Sequence, residues 1–153
     1  MNHASPSQWL EVQHRQIDQG IEGMLDGSGT PEQLGHSLDL LRLHIYLEEA
    51  VLFAPLEQAG LTMPVFVMQR EHGQMWPLLQ ALGAAGASGG TDAAVAESCG
   101  TLLQLLQIHN PKEEQILYTA ADRIAAERND GALLEALTAG RMPAGWACAM
   151  APR

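Results

Sequence analysis

The chain has 153 residues, 46% of them hydrophobic, which suits one domain with a substantial core and leaves little length for a second. Its formal net charge is -10, from 18 acidic against 8 basic residues, and the single Lys and scattered Arg form no basic patch. Nucleic acid and anionic membrane surfaces are therefore disfavoured as partners. The N-terminus shows no export signal, no apolar run reaches membrane-spanning length, and Cys99 and Cys148 make no CxxC-type pair. The expectation is a cytoplasmic protein with reduced thiols.

Ser5-Pro6-Ser7-Gln8 has the form of a capping box with Pro at the first helical position, which predicts a first helix ending near Gly27-Ser28-Gly29. Its apolar seam of Leu10, Ile17, Ile21 and Met24 is interrupted by His14. Thr30-Pro31-Glu32-Gln33 repeats the start signal and predicts a second helix to about Glu57, with a seam of Leu34, Ser37, Leu41, His44, Glu48 and Val51. A third helix from Thr62 to Pro64 onward carries Val65, Met68, His72, Met75, Leu79 and Leu82, with Pro77 expected to bend it. The stretch Gly83 to Gly90 reads as a flexible loop. A fourth helix from Thr91-Asp92 to about Arg128 has a seam of Leu102, Leu106, His109, Glu113, Ile116 and Ala120, with a kink expected at Asn110-Pro111. The segment ALLEALTA predicts a short further helix, and the tail from Arg141 lacks periodicity. The fold class is all-α, an up-down-up-down four-helix bundle over 1–140 with a short extra C-terminal helix and an irregular tail over 141–153.

Each of the four seams thus carries a His, and in LHIYLEEAVLFAP and IHNPKEEQILYTA a Glu follows the His by four residues. On a helix a spacing of four places the two side chains on one face, so His44 with Glu48 and His109 with Glu113 can each offer an imidazole and a carboxylate to one ion. A set of four His and two Glu in a shared core needs compensation, either from mutual His-carboxylate hydrogen bonds or from metal. Imidazole with carboxylate suits a hard, redox-active pair such as di-iron. His36 is too far along its helix to join the set, His3 precedes the first helix, and Asp18 is a lesser candidate, as ligand or as acceptor for His14. Glu71, Glu49 and Glu114 are expected outside the ligand set.

The motifs HIYLEEAVLF, REHGQMW and HNPKEEQILY resemble the hemerythrin family, in its His-His-Glu cation-binding branch, across roughly Gln8 to Arg128. The resemblance implies two iron ions, oxo- or hydroxo-bridged, with His14 and His44 on one, His72 and His109 on the other, and Glu48 and Glu113 bridging. It implies binding of or reaction with O2, NO or peroxide, in sensing, scavenging or redox work, with a redox partner protein possible. Oxygen carriers of the family place a further His where this chain has Trp76, and an Asp one residue beyond Glu113, so reactivity is expected over simple carriage. An oxidoreductase or iron donor in iron-sulfur cluster repair is the alternative, though such members carry an N-terminal cysteine-bearing domain that this sequence lacks. Metal storage is a third reading.

Overall fold

A computed structural model describes residues 5–88 and 92–152, and among these every regular element is helical. The first helix, α1 (Pro6–Asp26), starts where Ser5 Oγ accepts from the Gln8 N–H at 3.2 Å and the Gln8 side chain accepts from the Ser5 N–H at 3.0 Å. It stops at Gly27, whose φ of 81° is open to a residue without a Cβ. The same reciprocal cap at Thr30 and Gln33 starts α2 (Pro31–Leu47). Then come a π-helical turn, π1 (Glu48–Leu52), and α3 (Phe53–Gln58). After a short turn α4 (Thr62–Ser88) contains Pro77, and α5 (Asp92–Lys112) leads through a second π turn, π2 (Glu113–Leu117), into α6 (Tyr118–Arg128). A short α7 (Ala132–Ala139) follows.

Three expectations are corrected. Residues 83–88 are helical rather than loop, because Ala84, Ala85 and Ala87, strong helix formers, offset Gly83 and Gly86 and α4 simply continues; Gly89 and Gly90 lie outside the described residues. The second and fourth helices are not uninterrupted, since each is broken by a π turn that begins at its Glu. That extra residue shifts the buried face by one position. Ile116, expected in the seam, is 48% exposed, while Leu117 and Tyr118 are fully buried. In the same way Val51 is only half-buried, whereas Leu52 and Phe53 are buried.

α1 packs on α2 and α5, and α4 packs on α5 and α2, so four helical rods surround one interior. That interior holds two apolar clusters. One contains Ile17, Leu41, Met75 and Leu106; the other contains Leu10, Leu47, Met68 and Leu117. Each of the four seam His residues lies in sequence between a member of one cluster and a member of the other. A polar layer therefore separates two apolar compartments.

The tail is irregular but docked. Trp146 sets its ring edge-on against Tyr46 at 5.1 Å and Trp76 at 5.5 Å between centroids, and Cys148 is buried in the first cluster. A Cβ on Gly73 would overlap the Met150 carbonyl, so only glycine lets the tail cross α4 at this point. Neither Cys99 nor Cys148 is in a disulfide. No described helix is long and apolar enough to cross a membrane.

Candidate metal centre

The six seam residues meet in two overlapping groups. His14, His44, Glu48 and Glu113 form one, and Glu48, His72, His109 and Glu113 form the other, with the donor atoms of each group within 4.8 Å of one another. All six are buried, and Glu48, His72 and Glu113 have no exposed surface. Both carboxylates belong to both groups. Glu48 presents Oε2 to His44 Nε2 at 3.4 Å and Oε1 to His72 Nε2 at 3.1 Å; Glu113 Oε1 is 3.1 Å from both His14 Nε2 and His109 Nε2.

The outward nitrogen of every imidazole is already engaged. His14 Nδ1 meets Glu114 Oε2 at 2.8 Å, His44 Nδ1 meets Gln13 Oε1 at 2.7 Å, His72 Nδ1 meets Glu49 Oε2 at 2.7 Å, and His109 Nδ1 meets Glu71 Oε1 at 2.8 Å. The carboxylates of Glu114, Glu49 and Glu71 can only accept, as can the amide oxygen of Gln13, so these contacts assign the proton to Nδ1 and turn the bare Nε2 lone pairs inward. There they face carboxylate oxygens and one another: His14 Nε2 and His44 Nε2 are 3.0 Å apart. His72 Nε2 and Glu48 Oε1 are close but not aligned as a hydrogen bond, and both atoms, with Glu113 Oε2, have no hydrogen-bond partner. Such a convergence of acceptors in a dry interior is unfavourable without a cation, and neutral imidazole with carboxylate is a donor set that iron accepts.

Electrostatics tell the same story from the proton's side. Burial alone would push the His14 imidazole down, but the hydrogen bond to Glu113 and the charges of Glu113 and Glu48 outweigh it and raise its pKa to about 9. Burial likewise opposes His109, and Glu113 and Glu71 raise it to about 9. Burial would raise Glu48, yet the His44 charge and the hydrogen bonds around it hold its carboxyl well below the usual range. The layer is a basin of negative potential that draws protons when no metal competes.

The other residues weighed in the sequence lie outside the two groups, and two further residues, Gln13 and Tyr118, stand at the layer. His36 is exposed, and Asp18 joins neither group; its half-buried carboxyl is pushed up to about 6, by burial first. His3 lies outside the described residues. Glu49, Glu71 and Glu114 stand behind imidazoles, and Lys112 pairs with Glu71. Gln13 and Tyr118 were not singled out by the sequence. Tyr118 Oη sits inside the first group, donating to Glu48 Oε2 at 2.7 Å and lying 3.0 Å from His14 Nε2 and 3.1 Å from His44 Nε2. Its signal was available: an aromatic residue falls five positions after the Glu in both repeats, Phe53 after Glu48 and Tyr118 after Glu113.

The model of the hemerythrin HHE cation-binding domain matches residues 5–121. The chain therefore belongs to the hemerythrin HHE cation-binding family, all-helical in its described residues, with a buried His/Glu cluster that could hold metal. No curated protein and no solved structure gives a significant match.

Proposed function

We propose that this chain is a non-haem di-iron protein that binds or reacts with O2, NO or peroxide, in a sensing, scavenging or redox role in the cytoplasm. In this reading His14 and His44 hold one ion, His72 and His109 the other, and Glu48 and Glu113 bridge them. One observation carries it: four imidazoles, each held at Nδ1 by its own acceptor, aim four Nε2 atoms at two shared carboxylates in a buried layer. A bound iron pair would supply redox change and a position for a small ligand. The protein's own part is to fix the imidazoles, exclude bulk water and keep the carboxylates ionised. The alternation of apolar clusters along the four rods supports an up-down-up-down bundle over 1–140, with 141–153 as an accessory strap.

Metal analysis tests the reading, together with optical spectra of the reduced protein before and after exposure to air, NO and peroxide. Two iron ions per chain are expected, and His44→Ala or Glu113→Ala should lose at least one of them. Unchanged stoichiometry in both variants would overturn the ligand assignment. An iron-loaded protein whose spectrum is indifferent to all three ligands would overturn the reactivity.

A further inference from the structure

The two halves of the centre are built on one plan, and the aromatic ring that each carries differs at one atom. In each, a π turn opens at the shared Glu, and the backbone N–H of the residue five positions on donates to that Glu's carbonyl: Phe53 to Glu48 and Tyr118 to Glu113. The turn carries an aromatic ring back against the metal-binding layer. Phe53 stacks on His72, with centroids 5.8 Å apart and planes 9° apart, while the Tyr118 ring lies 5.4 Å from that of His14. One ring is bare and the other ends in a hydroxyl.

That hydroxyl is placed like a donor atom. Glu113 Oε1, His14 Nε2, His44 Nε2 and Glu48 Oε2 follow one another at 3.1, 3.0 and 3.4 Å. Tyr118 Oη lies to one side of all four, at 3.2, 3.0, 3.1 and 2.7 Å in the same order. Donors bound at right angles about 2.1 Å from one ion sit about 3 Å apart, and an axial donor is equally close to four equatorial ones. A hydrogen-bond account is incomplete: a phenol has one proton, and Glu48 takes it. Because Nδ1 of His14 and of His44 is committed to Glu114 and Gln13, the other contacts set lone pair against lone pair unless extra protons or a cation stand among them.

We propose that the Tyr118 phenol oxygen is a fifth protein donor to the ion held by His14, His44, Glu48 and Glu113, whereas Phe53 leaves the ion held by His72 and His109 without one. The inference rests on the metal reading above. As the metal-oxygen bond forms, the phenol O–H bond breaks and its proton leaves to solvent, with no electron transferred. The two positions are then inequivalent, the first harder and more anionic and the second with one more place free for an exogenous ligand.

The chain contains only two tyrosines, Tyr46 and Tyr118, and Tyr46 lies against Trp146, outside the centre. Full-length protein loaded with ferrous iron and oxidised with ferricyanide should show tyrosine ring modes in resonance Raman excited in the visible. Ring-deuterated tyrosine should shift them. Tyr46→Phe should keep the modes, and Tyr118→Phe should lose them together with the visible charge-transfer absorption. Iron-loaded wild type without isotope-sensitive ring modes, or modes that survive in Tyr118→Phe, would overturn the inference and leave the metal reading intact. A wild type that takes up no iron would overturn both. Should Tyr118→Phe fail to hold iron, the isotope shift in wild type and in Tyr46→Phe decides alone.

Discussion

At the scale of single residues the centre depends on groups that never touch its middle. Glu71 accepts from His109 Nδ1 and pairs with Lys112, and although burial opposes it, these partners hold its carboxyl down at about 2. Replacing Glu71 by Leu removes the acceptor that orients His109, so iron affinity should fall about 10- to 100-fold, read by competition with a chelator. Equal affinity in Glu71→Leu would show that His109 is oriented by packing alone. The four His and two Glu were legible in the sequence because each breaks an apolar seam, and a broken period is visible in a string of letters. The acceptors behind them were less so, because Gln13 and Glu71 lie off the seam beside a seam His and look like ordinary polar face residues. Tyr118 escaped because a regular helical count of 3.6 residues per turn places Ile116, not Tyr118, toward the core.

At the scale of elements, the helix starts were readable because Ser5-Pro6 and Thr30-Pro31 are local capping chemistry. The π turns were not readable, since nothing in EEAVL or EEQIL announces an added residue; they follow from placing both a Glu and an aromatic ring on one layer. Tyr118 follows Glu113 by five residues and its N–H bonds the Glu113 carbonyl, so deleting Gln115 would return π2 to regular helical spacing with the tyrosine four residues after Glu113 and still on its face, about one turn along. The variant should therefore keep both its far-ultraviolet circular dichroism and its iron. Loss of iron from the deletion variant would mean that the π turn itself, and not only the face it sets, is needed for the centre. Proline in α4 did not end that helix: Pro77 sits within Thr62–Ser88, and packing on both neighbouring rods overrides the local penalty.

At the scale of the whole molecule, the metal-free protein carries its own pH dependence. His14 and His109 are raised from 6.5 to about 9 in the fold. Their protonation therefore contributes stability that is fully present below about 6.5 and lost as pH rises through about 9. The melting temperature of metal-free protein should fall across that window, whereas iron, which needs neutral imidazole, should stabilise more as pH rises. A metal-free melting temperature that stays level or climbs from pH 6.5 to 9 would contradict the charge balance described. The strap adds a second global term. Gly73→Ala should dislodge it, with about 1 to 3 kcal/mol of destabilisation in urea titration and faster proteolytic cutting within 141–153; a resistant tail would show that α4 or the strap yields without loss.

The strap also reaches the centre. The Ala149 N–H donates to Glu49 Oε1 at 2.9 Å, and the other oxygen of that carboxylate holds His72. Residues 143–151 follow all six His and Glu residues of the buried layer, so on the ribosome those six and Tyr118 emerge before the segment that steadies Glu49. The order of translation thus leaves an interval in which the centre can be assembled while one side of it is still unlatched, and iron delivered in that interval would meet a softer site than iron delivered to the finished protein.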